Sequence, residues 1–348
     1  MSRIICIGDP HFKVTNIEET NKCVERLLEI VRDKNPDFVV ILGDLLHEHE
    51  KLHTLALNCA VNFVEEVSKL CLTFVLVGNH DMINHHQFLT KNHWMNSMKP
   101  WKNVYIVDYP MIFMHNEMKF VFAPYVNNGR FEECLDKVGE WKDAACIFPH
   151  QEFYGCNFGH MPSTNGDKWE EEYPHVISGH IHSRQMVGSN VYYPGSVMQH
   201  AFGESEKNII AYVTFNKGVK DYELEEIDLG LPRKRSVKIP ISDIDDYEIP
   251  ETQDSIRFIA EGTAEEFDIF RKSDKYKKIM ENPKIKIKYR SVIEEPSDNI
   301  GNTELSKSNF MELLKEAIIK DKDYPDELMS DFNHLFLGDN KDDDVLLI

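Results

Sequence analysis

Hydrophobic residues fall in two rhythms along the first eighty positions. Arg3 to Ile7 is a short apolar run, and between Ile17 and Arg32 the residues Val24, Leu27, Leu28 and Val31 recur at helical spacing. Phe38 to Leu42 is then continuously apolar, as expected of a central parallel strand covered on both faces. A second amphipathic segment from Thr54 to Lys69 leads to a third apolar run, Leu72 to Val77. The order strand, helix, strand, helix, strand predicts βαβ units and a parallel sheet, hence an α/β fold.

Further along, short strand-like runs occupy Tyr105 to Val107 and Lys119 to Phe122, a helix is expected over Arg130 to Val138, and Ala144 to Phe148 and Val176 to Ser178 read as strands. Ile209 to Phe215 and Tyr222 to Ile227 complete the sheets, while residues 155–173, rich in Gly, Pro, Ser, Thr and Asn, form a long loop suited to a lid or to substrate contact. Composition shifts after Leu231, and the stretch from there to Ser255 reads as a linker. Beyond it, Ser255 to Glu261 alternates as a strand, Glu265 to Met280 reads as one helix, and Ile285, Ile287 and Tyr289 alternate with Lys284, Lys286, Lys288 and Arg290. That last strand has one wholly cationic face. It is either a solvated face with acidic neighbours or a row of phosphate contacts. A helical pattern over Glu304 to Lys320 and a second apolar group from Leu328 to Leu337 precede an acidic run, Asp339 to Asp344. Three segments are therefore expected: 1–231, 232–295 and 296–348.

The strands share one peculiarity. Each ends in a turn that carries metal-competent side chains: Gly8-Asp9-Pro10-His11, Gly43-Asp44, Gly78-Asn79-His80-Asp81, Pro149-His150 and Gly179-His180-Ile181-His182. A parallel sheet gathers such ends at one edge, where open α/β sheets place their sites. Carboxylates are hard ligands and imidazoles borderline ones, so Asp9 with His11, and His180 with His182, are spaced to share or divide a pair of metals. His85, His86 and His93 lie in a polar segment that no strand end delivers, and are expected to be solvated or interfacial.

Composition narrows the partners. The chain has 348 residues, 42% hydrophobic and 28% charged, which is the globular range. No segment reaches the length of a membrane span, and the N-terminal residues lack a secretory pattern, so an intracellular, soluble protein is expected. The seven scattered cysteines read as reduced core thiols. A formal net charge of −20 repels polyanions, so a nucleic-acid substrate needs bound metals or a segregated basic cluster.

Taken in order, these motifs resemble the complete signature of the metallophosphoesterase superfamily over about residues 1 to 230. Gly43-Asp44-Leu45-Leu46-His47, and Tyr193-Pro194-Gly195-Ser196 before Gly203-Glu204, are similar to SbcD-type nucleases, which repair double-strand breaks and include meiotic-recombination, phage and viral members. The resemblance implies a calcineurin-like four-layer sandwich, a smaller α+β capping domain and a helical C-terminal tail. It implies Asp9, His11, Asp44 and His182 around one metal, and Asp44, Asn79, His150 and His180 around the other, with Asp44 bridging. Two manganese ions are the implied activators, with magnesium or another divalent metal as substitutes. His80 would stabilise or protonate the leaving oxygen, and His47 would orient it or the phosphate. Lys284, Lys286, Lys288 and Arg290 would contact DNA.

The implied activity is 3′→5′ exonuclease and endonuclease action in repair and recombination, by a homodimer working with an SbcC-type coiled-coil ABC ATPase that docks on the tail. The chain has no Gly-x-x-x-x-Gly-Lys-Ser/Thr loop of its own, so ATP-driven steps would be supplied in trans. The rival reading is a phosphodiesterase or phosphatase on a non-DNA substrate. Against a Ser/Thr phosphatase, Leu46-His47-Glu48 stands where such enzymes carry Asp-Arg-Gly after the bridging Asp. Phe12 and Lys13 also depart from the glycine that many relatives have after the first histidine.

Overall fold

A computed structural model describes residues 1–291 apart from 50, 85, 160, 245 and 249–251. His85 and the expected tail, 296–348, lie outside the described residues. Residues 1–292 form one compact unit.

The chain opens with β1 (Ser2–Ile7), α1 (Ile17–Lys34), β2 (Phe38–Ile41), α2 (Thr54–Leu70), β3 (Leu72–Leu76) and β4 (Val104–Val107). These four strands run parallel, and β13 (Ile209–Phe215) and β14 (Glu223–Asp228) add antiparallel on the far side of β1, giving the order β14-β13-β1-β2-β3-β4. A second six-stranded sheet has the order β11-β12-β10-β7-β6-β5. Its strands are β5 (Met111–His115), β6 (Met118–Ala123), β7 (Cys146–Pro149), β10 (His175–Ile177), β11 (Gln185–Val187) and β12 (Val191–Tyr193).

Alternation along the strands decides the layers. Ile4, Cys6, Val40 and Leu76 of the first sheet meet Phe120, Phe122, Phe148 and Ile177 of the second in a shared apolar seam. The opposite residues, Ile5, Ile7, Val39 and Val75, pack beneath α1 and α2 through Leu27, Val31, Phe63 and Val67. On the outer face of the second sheet, Val121, Ile147 and Val176 are covered by α3 (Phe131–Leu135) and Trp141. The result is the expected four-layer α/β sandwich. α3 covers only part of the helix expected over Arg130 to Val138. The long loop contains a small hairpin, β8 (Asn157–Phe158) and β9 (Met161–Pro162).

A third sheet has a core of its own. β15 (Lys234–Pro240), β16 (Ser255–Gly262) and β17 (Ile285–Ser291) are parallel neighbours, and Ile239, Ile256, Phe258, Ala260 and Ile285 pack against Phe270 of α4 (Ala264–Phe270) and Ile279 of α5 (Asp274–Met280). Two expectations are corrected here. Residues 234–240 form a strand rather than linker, because Val237 and Ile239 face that core. The single helix expected over Glu265 to Met280 is two, since the Ser273 side chain caps the second by accepting a hydrogen bond from the Tyr276 N–H.

Candidate metal centre

The ends of β1, β2 and β3 deliver Asp9, His11, Asp44 and Asn79 from the first sheet, while β7 and β10 lead into His150, His180 and His182 from the second. All seven residues meet at one place, across the edge of the seam. Side-chain ligand atoms of Asp9, His11 and His182 lie within 4.8 Å of one another, as do those of Asp44, His150 and His180. Asp44 Oδ2 is 3.4 Å from His11 Nε2 and 3.3 Å from His150 Nε2, so this carboxylate stands between the two groups. Asn79 Oδ1 joins the second group, 2.9 Å from His150 Nε2 and 3.0 Å from His180 Nδ1.

Backbone geometry shows how tightly the turns are held. Asp9, His11, Asp44 and His180 all have left-handed backbone conformations, with φ of 41°, 44°, 51° and 83°. Such residues cost of order 1–3 kcal/mol each and concentrate at functional sites. The glycines of the turns make room. A Cβ on Gly43 would stand 2.4 Å from His150 Nδ1, and one on Gly78 would stand 2.2 Å from Asp44 Oδ1. At Gly43 and Gly78 the strand-Gly-ligand pattern is therefore steric, the missing side chain being the space a ligand occupies, whereas a Cβ on Gly8 or Gly179 would first meet the backbone carbonyl of Gly195 or Leu42.

The electrostatics favour a bound cation. Asp9, His11, Asp44 and His150 are buried. Burial pushes the Asp9 carboxyl up, against the pull of His150 and His182. Burial acts the same way on Asp44, but the charge and hydrogen bond of His150, together with His11, hold it well below the usual carboxylate range. Burial would lower His150, yet Asp44 and Asp9 raise it to about 9. His180 is driven down to about 3 by burial and by His150.

His150 Nδ1 lies 2.6 Å from the Leu42 carbonyl oxygen and donates to it, so a neutral His150 turns its Nε2 lone pair onto the oxygens of Asn79 and Asp44. His11 Nε2 and His182 Nε2 approach to 3.0 Å, and Asp9 Oδ2 is buried without a hydrogen-bond partner. A proton relieves one such clash at a time. Divalent cations held among the two carboxylates, Asn79 and four imidazoles would relieve all of them, and this mixed oxygen and nitrogen donor set suits manganese, zinc or iron.

His80 lies beside the cluster. Its backbone N–H donates to Asp44 Oδ1 at 2.9 Å, and its Nδ1 donates to the His47 carbonyl oxygen at 2.6 Å. His11, His47 and His80 each offer a nitrogen within 4.8 Å of the others, and the His47 and His49 rings both stack with His80. Burial, followed by Lys13, lowers the His47 pKa.

Three further neighbours, to which the sequence assigned no role, stand at the cluster. The His200 ring stands 5.1 Å from that of His11 and 5.6 Å from that of His182, its Nε2 2.7 Å from Ser196 Oγ. Glu204 accepts from the His200 and Ala201 N–H groups and approaches His182 Nδ1 to 3.7 Å. Buried Asp81 accepts from the Gly78 N–H and from the Trp94 indole, and burial with nearby Asp44 pushes its carboxyl up to about 7. Glu204 and Asp81 are visible within motifs, whereas nothing in the local pattern marks His200. One expectation is corrected: His93 is buried, accepts from the Met95 N–H and pairs with Asp108 at 3.2 Å, so it anchors a turn rather than meeting solvent.

Lys284, Lys286, Lys288 and Arg290 are not part of the cluster; Lys286, Lys288 and Arg290 lie along β17 at the edge of the small sheet and Lys284 directly precedes it. Alternation puts them on the face opposite α4 and α5, together with Lys234, Lys238 and Arg257. Glu261 is the acidic residue of that face, and Arg290 pairs with it at 3.2 Å.

Comparison with known proteins agrees with this geometry. A model of the calcineurin-like phosphoesterase family matches residues 2–184. "Putative phosphoesterase 244L" of Invertebrate iridescent virus 6 is 46% identical over 280 residues, covering 78% of this chain and 98% of that protein. "Putative phosphoesterase 078R" of Invertebrate iridescent virus 3 is 44% identical over 285 residues, or 80% of this chain and 81% of that one. Among solved structures, purple acid phosphatase PPD1 from yellow lupin overlaps 66% of this chain and 51% of its own at 13% identity, with a TM-score of 0.40 that is too low to carry any argument. On the extent of the family match and the identity to the viral relatives, the chain belongs to the calcineurin-like phosphoesterase family and is a metal-dependent phosphoesterase.

Proposed function

We propose that this phosphoesterase is a DNA nuclease, cleaving phosphodiesters as a 3′→5′ exonuclease and endonuclease in double-strand-break repair and recombination. The observation that carries the reading is the cationic face of the small sheet. In a chain of net charge −20, one face concentrates Lys234, Lys238, Arg257, Lys286, Lys288 and Arg290, on a sheet that joins the catalytic unit through Lys234. Such segregation is costly through self-repulsion and suits a polyanion.

At the centre, Asp9, His11, Asp44 and His182 would hold one divalent ion, and Asp44, Asn79, His150 and His180 a second, with manganese the expected metal. Bound there, two ions supply an activated water and neutralise charge on the phosphodiester. The chain's own groups do the rest. His80 Nδ1 is committed to the His47 carbonyl, which leaves Nε2 as the atom that exchanges a proton with the leaving oxygen. The same hydrogen bond fixes the ring's orientation. His47, its Nδ1 buried without a partner, offers a second imidazole toward the phosphate.

The resemblance of the strand-end motifs supports a homodimer and an SbcC-type ATPase partner for this reading. The test compares duplex and single-stranded DNA with bis-p-nitrophenyl phosphate in manganese. Cleavage of both kinds of substrate is expected, and hydrolysis of the small diester without any cleavage of DNA would refute the nuclease reading. Co-purification with a coiled-coil ABC ATPase tests the partner.

A further inference from the structure

Next to the metal cluster, on the far side of the His200 ring, lies a cavity of about 260 Å³ between the start of α1 and the cationic face of the small sheet. Its lining contains Lys13, Asn16, Lys284 and Lys286, with the hydroxyls of Thr15 and Ser255. Lys234 and Glu19 also line it, but they neutralise each other in an ion pair of 2.6 Å. The remaining charge of the lining is three ammonium groups. Lys284 Nζ is 3.3 Å from the Gln253 carbonyl oxygen.

A second observation is independent of charge. Asn16, only 6% exposed, accepts the Lys13 N–H and the Thr20 hydroxyl at its Oδ1, at 3.0 and 3.1 Å. A backbone N–H can only donate, so the oxygen must face it and the amide orientation is fixed. The Nδ2 donors are left buried without a partner, and so is His200 Nδ1. Leaving a buried donor unpaired is costly, and native proteins seldom tolerate it without a ligand or water. The two orphaned polar atoms, each itself shielded from solvent, belong to residues that line one polycationic cavity.

We infer that this cavity binds a second phosphate group of the substrate strand, one nucleotide from the phosphodiester at the metal cluster. The His200 ring divides the two positions, within about 5 Å of the His11 ring. Phe202, beneath the Arg257 guanidinium at 4.3 Å, joins Lys284 and Lys286 in the lining, so the cavity is continuous with the cationic face of the small sheet. This inference rests on the nuclease reading and names how that site tells a polynucleotide from a small diester.

Two measurements on the full chain test it. Crystals soaked in inorganic phosphate should show an anion in the cavity beside Asn16 and Lys286, and should lose it in Asn16→Asp. That variant keeps the acceptor oxygen for Lys13 and Thr20 while replacing the orphaned donor with a carboxylate. No anion in the wild-type cavity would overturn the inference. The second measurement is a ratio taken within each protein: kcat/KM for a thymidine dinucleotide with a phosphate adjacent to the scissile diester over that for the same dinucleotide without it. We expect a rise of about tenfold or more in the wild type, shrinking toward unity in Lys286→Gln and Asn16→Asp. The extra phosphate is supplied once as a terminal monoester and once as an internal diester, which separates an end-binding pocket from a strand-tracking one. A wild-type ratio of unity for both would overturn the inference. If the protein hydrolyses small diesters but no nucleotide substrate, the nuclease reading fails and the phosphate soak alone decides the cavity.

Discussion

Adding one methyl group at Gly78 should disable the centre without replacing any ligand. A Cβ built there stands 2.2 Å from Asp44 Oδ1 and 2.5 Å from Asp44 N, whereas real Cβ contacts do not fall below 3.0 Å. Either the turn after β3 or the carboxylate must move by about 0.8 Å. The carboxylate cannot rotate freely, because Oδ1 accepts the His80 N–H at 2.9 Å and Oδ2 stands between His11 and His150. Overpacking of this kind costs about 1–3 kcal/mol. Misplacement by about 1 Å in a catalytic constellation costs roughly 100-fold in rate. Gly78→Ala should therefore fold, melt at a lower temperature, bind manganese incompletely and hydrolyse bis-p-nitrophenyl phosphate about 100-fold more slowly. Gly129→Ala is the control: its left-handed φ of +81° brings strain, but no atom lies within 4 Å of the new Cβ. Metal content by mass spectrometry, circular dichroism and steady-state rates read all three properties. A Gly78→Ala protein with full metal content and a rate within about threefold of wild type would refute the steric account of the strand-Gly-ligand pattern.

Asn79→Ala and His180→Ala should each lower metal content and cut hydrolysis by at least about 100-fold, and anomalous scattering showing two fully occupied metals in either variant would contradict the ligand assignment. His80→Ala should keep its metals and its DNA affinity while single-turnover cleavage falls by about 100- to 10,000-fold; near-normal cleavage would remove His80 from proton transfer. Replacing Lys284, Lys286, Lys288 and Arg290 with Gln should weaken DNA binding and reduce the slope of log affinity against log salt by about one for each phosphate no longer neutralised, and an unchanged slope would return these residues to solvent. Burial would raise the Asp108 pKa, but hydrogen bonds from His93 and Lys99 hold it at about 2, below its ordinary 3.8. The stability it contributes, about 2 kcal/mol, is present above pH 4 and lost as pH falls toward 2. The gap in denaturation free energy between wild type and Asp108→Asn should accordingly narrow over that window, and a gap independent of pH would show that the pair is not the cause.

The centre is legible in the sequence because its ligands follow apolar runs, and a run of period two or an unbroken buried strand is the strongest local signal a chain offers. Asp44 after Phe38 to Leu42 and His150 after Cys146 to Phe148 are of this kind. His200 is not legible, because a turn of polar hydrogen bonds places it: Glu204 takes its backbone N–H and Ser196 its Nε2. β15 escapes for a different reason. Lys234, Arg235 and Lys238 dominate its composition, and only Val237 and Ile239 reach the core, too few to stand out from linker sequence. The helix expected over Glu265 to Met280 reads as continuous because apolar residues, Phe267 and Phe270 before and Tyr276 and Ile279 after, stand on both sides of the break that Ser273 caps. His93 reads as solvated because its burial comes from contacts made across a turn rather than along a strand.

The antiparallel pairing of β13 against β1 sets a schedule for synthesis. β1 is finished at Ile7, yet the strand that closes its open side begins at Ile209, about two hundred residues later. At roughly 5–20 residues per second, a ribosome needs about 10–40 s to bridge that interval. Throughout it the emerging chain carries a completed strand, apolar on both faces and with one row of backbone N–H and C=O groups unpaired. Such an edge is a template for pairing with other chains. The nascent protein must therefore spend most of its translation either holding Ile4 to Ile7 sequestered or leaning on a holding chaperone, and a slow stretch of codons before residue 209 should lower the yield of soluble protein more than the same stretch placed after residue 215.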